Sequence, residues 1–319
     1  MAGSGSTEKR VCVLLAMYNG VRDLEAQLQS LADQSHTAWD LIVSDDGSAD
    51  AGPDIVRRFA QARAATGNRV DLVAGPCRGF VANFLGLLAR VPEQYDWLAI
   101  SDQDDVWLPD RLARGLAALA PLPGSVPALY CSRSWITDED LENRRLSRLP
   151  AQTPGFRNAL VQNIAAGNTI LLNPAASALA RSVAGPAAEV PGLAAHDWWL
   201  YQLVTGVGGQ VIFDPEPTLL YRQHGGNQIG ANEGLRATLR RLVMLLGGRF
   251  SRWNTANIAA LRQISAHLTS ENRALLDGFA ALQKPGTLSR LRRFRQLQLY
   301  RQTWLAQASL WLGVLLGRF

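Results

Sequence analysis

Short runs of consecutive apolar residues alternate with stretches of helical periodicity over roughly the first 115 positions. Val11 to Leu15 is unbroken apolar sequence followed by Tyr18-Asn19-Gly20, the pattern of a strand buried on both faces that ends in a turn. Leu24, Leu28 and Leu31 then recur at helical spacing. Leu41 to Val43 predicts a second strand, cut off by Ser44-Asp45-Asp46-Gly47-Ser48, and Ile55, Val56 and Phe59 mark a second helix. Val70 to Val73 and Trp97 to Ile100 predict further strands, with a helix over Phe80 to Leu88 between them. Strand and helix alternating in this way predict an α/β fold with a mostly parallel sheet flanked by helices.

The pattern loosens downstream. One strand is expected near Leu129 to Cys131, a polar segment from Thr137 to Arg148, a strand from Thr169 to Leu172 and a helix around Trp198 to Val204. After Gly234 only helical patterns rich in Leu and Arg remain. The expected organisation is a flexible stretch at 1–9, a catalytic unit at 10–234 whose halves divide near 115, and a helical extension at 235–319.

A hydrophobic share of 47% and a charged share of 18% fit a chain with a real core and exclude disorder. The net charge of +5 hides an asymmetry. Residues 235–319 hold 14 basic and 2 acidic side chains, which leaves 18 against 25 in the first 234. Cys12, Cys77 and Cys131 are isolated, with no metal or disulfide spacing, and a reducing cytosol is the simplest setting. No apolar segment precedes Val11 as a secretory signal would, and no apolar run reaches the ~18–20 residues of a membrane span.

In an open parallel sheet ligands bind beyond the carboxyl ends of the strands. Five carboxylates stand at those ends: Asp45 and Asp46 after the second strand, and Asp102, Asp104 and Asp105 after the fourth. A single Asp there is ordinary turn chemistry, but five repel one another unless a cation compensates them, which points to Mg²⁺ or Mn²⁺ with substrate phosphates completing its shell. A GxxxxGK[ST] loop is missing, as is GxGxxG after the first strand, so neither a P-loop nor a dinucleotide site is expected.

Val13-Leu14-Leu15-Ala16-Met17-Tyr18-Asn19-Gly20, Ser44-Asp45-Asp46-Gly47-Ser48 and Ser101-Asp102-Gln103-Asp104-Asp105-Val106-Trp107-Leu108-Pro109-Asp110-Arg111-Leu112 stand in this order along the chain. The set resembles family-2 inverting glycosyltransferases of the GT-A nucleotide-sugar fold, over roughly residues 10 to 230. The resemblance implies that Ala16, Tyr18, Asp45, Asp46, Arg78, Asn83, Asp102 and Gln103 meet the donor nucleotide, with Asp104 on the metal. It also implies that Asp197, in His196-Asp197-Trp198-Trp199, is the base that deprotonates the acceptor hydroxyl, the neighbouring His196 being a poor substitute. Asp105 is expected to cap the helix starting near Pro109. Asn168 would line the acceptor side, and Trp198 and Trp199 would form a floor for a sugar ring or part of the core.

Tyr221-Arg222-Gln223-His224-Gly225-Gly226-Asn227 resembles a segment of bacterial rhamnosyltransferase-like members. There Arg222 would neutralise the diphosphate, and His224 would ligate the metal, touch the diphosphate or sit in a structural turn. The implied activity is transfer of a sugar, with rhamnose from dTDP-rhamnose foremost and a UDP-hexose as alternative, onto a polyprenyl-diphosphate-linked glycan in bacterial O-antigen or polysaccharide synthesis. A nucleotidyltransferase and an inactive nucleotide-sugar-binding scaffold are the rival readings.

The tail adds an address. Arg290, Arg292, Arg293, Arg295 and Arg301 precede an apolar stretch of about 13 residues from Trp304 to Leu316, too short to span a bilayer. It predicts an interfacial helix holding the enzyme at the inner face of the cytoplasmic membrane, or else a helix packed on the protein or in a homodimer. The tail's aromatics are clustered and not interleaved with arginines, so nucleic acid is not an expected partner.

Overall fold

The computed structural model describes residues 9–223 and 248–318. The first half alternates as its pattern predicts: β1 (Val11–Met17), α1 (Leu24–Ala32), β2 (Trp39–Asp45), α2 (Gly52–Arg63), β3 (Val70–Ala74), α3 (Phe80–Arg90) and β4 (Trp97–Ser101). The short β5 (Val106–Trp107), α4 (Arg111–Leu119), β6 (Ala128–Thr137), β7 (Arg145–Leu146), α5 (Phe156–Ala159) and β8 (Leu171–Leu172) follow. Then come α6 (Pro174–Ala188), α7 (His196–Gly206) and β9 (Gln210–Arg222). The C-terminal region forms α8 (Arg249–Gln263), α9 (Ser270–Ala280), α10 (Thr287–Leu297) and α11 (Trp304–Leu316).

Among the described residues nine strands form one sheet, ordered β3-β2-β1-β4-β8-β6-β9-β5 with β7 on β6. β3, β2, β1 and β4 run parallel, whereas β8 pairs antiparallel with both β4 and β6, and β9 returns parallel to β6. Side chains of a strand point alternately to opposite faces, so apolar residues at every position bury both. In β1, Cys12 and Leu14 join one core while Val11, Val13 and Leu15 join the other; in β4, Leu98 and Ile100 oppose Trp97 and Ala99. α1, α2 and α4 cover the second face, and α3, α6 and α7 the first.

Two expectations change here. Residues 167–169 form a 3-10 turn, so the strand is only Leu171–Leu172, and α6, a 15-residue helix, occupies sequence expected to be loops and short strands. The C-terminal helices also share the first core, to which they contribute Ile258, Leu261, Leu275, Phe279, Phe294 and Val314. The tail is therefore built onto the catalytic unit, its charge asymmetry notwithstanding.

Gly209, between α7 and β9, shows how tightly this layer is joined. A methyl group there would collide with the Pro127 carbonyl and lie 2.7 Å from that of Val204. Both are backbone atoms that cannot swing away, so Gly209→Ala is expected to cost about 1–3 kcal/mol. Its midpoint of denaturant unfolding should fall; an unchanged midpoint would refute the close approach.

Candidate active site

The carboxyl ends of β1, β2 and β4 open into a cavity of about 2410 Å³. That exceeds the ~300–1,000 Å³ of an ordinary small-molecule site, leaving room for two substrates. Ala16, Tyr18, Asp46, Asn83, Asp102, Gln103, Asp104, Asn168, Asp197 and Trp198 are among its lining residues, so most of the residues singled out from sequence converge.

β1 ends at an exposed Tyr18, whose backbone is clamped by Gln103. Tyr18 N–H donates to Gln103 Oε1 at 2.8 Å, and Gln103 Nε2 donates to Tyr18 O at 3.1 Å. The first two carboxylates fix backbone: Asp45 Oδ1 accepts from Ser48 N–H at 3.0 Å, and Asp46 Oδ2 from Gly79 N–H at 2.7 Å. Asp46 thereby ties β2 to the loop before α3 while still facing the cavity.

Two expected donor contacts are used otherwise. The Arg78 side chain turns away to Glu189 at 2.8 Å in an exposed ion pair, and only its backbone N–H approaches Asp46. Asn83 lines the cavity but is buried, with its amide donating to Ser44 O at 2.9 Å and accepting from Ser44 Oγ at 2.5 Å.

After β4 the acidic residues take different roles. Asp102 and Asp104 are half-buried and face the cavity. Burial, then the negative charges of Asp104 and Asp197, push Asp102 up to about 8, opposed by the guanidinium of Arg111. Asp105 does not cap a helix. It is fully buried, accepts from Asn168 Nδ2 at 2.5 Å and from Arg222 N–H at 3.3 Å, and so pins β9 and the 167–169 turn to the acidic loop. α4 begins after Asp110, whose side chain makes no capping bond.

The side chains of Asn168 and Arg222 are thus bonded to the acidic loop, Asn168 while still lining the cavity. Arg222 is buried, donates Nε to Asp104 O at 3.0 Å and Nη1 to Glu139 O, and pairs with Asp23 at 3.3 Å; it holds the loop that presents Asp104. His224 lies outside the described residues.

Asp197 sits in the first turn of α7, where helix-terminal N–H groups favour an anion. Its Oδ1 accepts from Trp198 N–H at 2.6 Å and Oδ2 from Gly167 N–H at 3.1 Å, with the Asn163 side chain as a further partner. Burial outweighs these bonds and pushes the carboxyl up to about 6. His196 is a flat wall: its ring stacks on Phe84 at 3.8 Å, and burial lowers it to about 3, so it stays neutral. Gly167 must be glycine because a β-carbon there would stand 2.9 Å from His196 Nε2 and 3.3 Å from Asp197 Cβ.

Of the tryptophan pair, Trp198 lines the cavity, donates Nε1 to Ala159 O at 2.6 Å and meets Trp253 edge-on at 6.4 Å. Trp199 is entirely buried in the first core and is no sugar floor.

Several contributors carry no motif. Arg111 is buried beneath the acidic loop, 3.4 Å over the Trp107 ring, donating to the carbonyls of Ile100, Asn168 and Ile170. Its place in the acidic run was visible, its counter-charge role was not. Asn163 and Trp253 reach the site through tertiary packing alone.

The oxygen donors suit a hard divalent cation, which would compensate the negative charges that add to burial in raising Asp102, and Asp104 faces the cavity where it could hold such an ion. Among the described residues no group of three His, Cys, Asp or Glu side chains encloses a metal.

Comparison with known proteins converges on one family. The sequence model of "Glycosyl transferase family 2" matches residues 12–183, more than half of the chain. The chain is 26% identical over 285 residues to "dTDP-rhamnosyl transferase RfbG" of Shigella flexneri, covering 83% of this chain and 89% of that protein. Its fold is similar to that of S. aureus TarS residues 1–349, with a TM-score of 0.53 at 13% identity over 91% of this chain and 90% of the other. It is also similar to the mannosyltransferase PcManGT from Pyrobaculum calidifontis, solved with GDP-Man and Mn²⁺, with a TM-score of 0.52 at 18% identity over 98% and 88%. With the acidic loop and Asp197 in one cavity, these matches make the chain a member of glycosyl transferase family 2, a GT-A-fold glycosyltransferase similar to a rhamnosyltransferase.

Proposed function

We propose that the enzyme transfers rhamnose from dTDP-rhamnose, with inversion and with a divalent cation, onto a lipid-linked glycan in bacterial O-antigen or polysaccharide assembly at the cytoplasmic membrane surface. The observation that carries this reading is Asp197, raised to about 6 and facing the same cavity as Asp102 and Asp104. A carboxylate near that value holds its negative charge at neutral pH yet binds a proton better than a solvated one, as a general base requires. Gly167 and Trp198 orient it, so it accepts the acceptor hydroxyl's proton without moving.

Tyr18 and Asp46 edge the nucleotide side, and the Gln103 clamp fixes the chain there before substrate arrives. When bound, the cation would stabilise charge on the departing diphosphate. The dTDP-sugar reading rests on the rhamnosyltransferase relative, and a UDP-hexose donor is the alternative.

Thermal unfolding tests donor and metal together. A ligand at about 100 times its Kd stabilises by about 2.7 kcal/mol, a rise of about 5 °C for a chain of this size. dTDP-rhamnose with Mn²⁺ is expected to give such a rise, UDP- and GDP-sugars a smaller one, and Asp104→Asn should abolish the manganese-dependent part. A larger rise with UDP-glucose would replace the donor, and an equal rise in EDTA would remove the metal.

A further inference from the structure

α11 is apolar all round, with Gln307 and Ser309 the only side chains in Trp304–Leu316 that carry hydrogen-bonding oxygen or nitrogen beyond the indoles. Its inner face packs on the protein, with Leu310, Gly313 and Val314 buried, while the exposed Trp311 at its border meets Phe294 edge-on at 4.5 Å. Its outer face is a continuous stripe. Trp304, Leu305, Leu312, Leu315 and Leu316 recur at helical spacing and are exposed, Trp304 at 81%. A soluble surface seldom keeps such a stripe without a use for it.

The stripe is continuous with the active site. Trp304, Leu305 and Leu312 line the same cavity as Asp104 and Asp197. The bonded path between them is short: Asn163 holds Asp197, Val161 O accepts from Arg301 Nε at 3.0 Å, and Gln162 Oε1 accepts from Gln302 N–H at 2.8 Å just before α11 begins. Among the described residues three cationic side chains line the cavity, Arg148 and Arg301 ahead of α11 in the chain and Arg318 after it, and the Arg301 guanidinium is steadied over the Phe250 ring at 5.3 Å.

An apolar track that begins at two arginines and lies in one cavity with a general base matches one chemistry: a long aliphatic chain ending in a diphosphate. We infer that the outer face of α11, with Arg148 and Arg301 at its cavity end, binds the first isoprene units and the diphosphate of the acceptor's lipid carrier. This rests on the lipid-linked acceptor of the preceding reading and adds where the lipid lies. Among the described residues no helix is long and apolar enough to cross a membrane, so the enzyme would meet the carrier from the surface, with α11 at the interface.

The test uses the full chain with geranyl, farnesyl and geranylgeranyl diphosphate below their micelle concentrations, followed by tryptophan fluorescence and calorimetry. Binding should tighten at least about tenfold per added isoprene unit, since even partial burial of five carbons is worth that much. Inorganic diphosphate and farnesol, each lacking one half of the ligand, should bind far more weakly than farnesyl diphosphate. Leu312→Asp and Trp304→Ala, both on the exposed stripe, should flatten the length dependence while sparing the unfolding temperature.

Equal affinity for all three chain lengths would overturn the proposal. So would binding to phosphatidylglycerol vesicles without binding to the monodisperse prenyl diphosphates, which would make the stripe a bilayer contact only. A dimer by sedimentation that the two variants dissociate would assign the stripe to a second copy and equally overturn it. Length-dependent binding without sugar transfer to any prenyl-diphosphate-linked glycan would uphold the lipid site and sink the acceptor reading.

Discussion

Replacing Asp197 by asparagine is expected to lower sugar transfer by about 10²–10⁴-fold while leaving nucleotide-sugar binding intact, because the change removes the proton acceptor and little else. Asparagine has the same shape, and its Oδ1 can still accept from one of the two N–H groups that orient Asp197, Gly167 or Trp198, while its Nδ2 cannot accept from the other. The wild-type pH profile carries the same information. A base works deprotonated, so kcat/KM should rise with pH through about 6 and level off above it.

The stability sign is the reverse of a misfolding variant's. A carboxyl whose folded value is raised from 3.8 to about 6 favours the fold when protonated, and that contribution is lost as pH rises through about 6. At pH 7 the ionised group costs up to about 3 kcal/mol, less to the extent that water reaches it from the cavity. Asp197→Asn is neutral and escapes that cost, which offsets the about 1–3 kcal/mol of the one accepted bond it loses, so its unfolding temperature at pH 7 should stay close to the wild type's. Normal turnover by this variant would transfer the base role elsewhere, and an inactive variant that also unfolds early would void the test.

The legible parts of this protein are those whose environment imposes a local pattern. β1, β2 and β4 are buried on both faces and so appear as apolar runs, and the polar residues that end them mark the ligand-binding edge. α6 has no comparable signature: Pro174-Ala175-Ala176-Ser177 is too small-sided to show a stripe, and Pro186 lies inside the helix. β9 is broken by Asp214-Pro215-Glu216-Pro217, where its register on β6 shifts. Arg222 and Asn168 stand next to the chemistry in sequence, but the Asn168 side chain is turned by Asp105, and that of Arg222 by Asp23 and the carbonyls of Asp104 and Glu139, partners more than 60 residues away. Asp105 itself, read as a cap, is the buried acceptor that both of them serve. The apolar length of α11 was visible in the tail, while the split between its buried and exposed faces needed α10 in place.

Trp199→Ala is expected to destabilise the protein by about 3–5 kcal/mol, since it empties the space of a wholly buried indole in the first core. For a chain of this size that is a fall of about 5–9 °C in unfolding temperature. The protein that remains folded should keep its KM for both substrates, because Trp199 does not face the cavity. Trp199→Phe should be far milder. The Trp199 Nε1 is buried without a hydrogen-bond partner, and losing an unsatisfied donor recovers about 1–3 kcal/mol against the smaller ring's lost contacts. Trp198→Phe should show the opposite division: it forfeits the bond to Ala159 O, about 1 kcal/mol, and alters the wall beside Asp197, so acceptor KM should rise with the fold nearly unchanged. A raised acceptor KM in Trp199→Phe with an unmoved unfolding temperature would reverse the two assignments and put the sugar against Trp199.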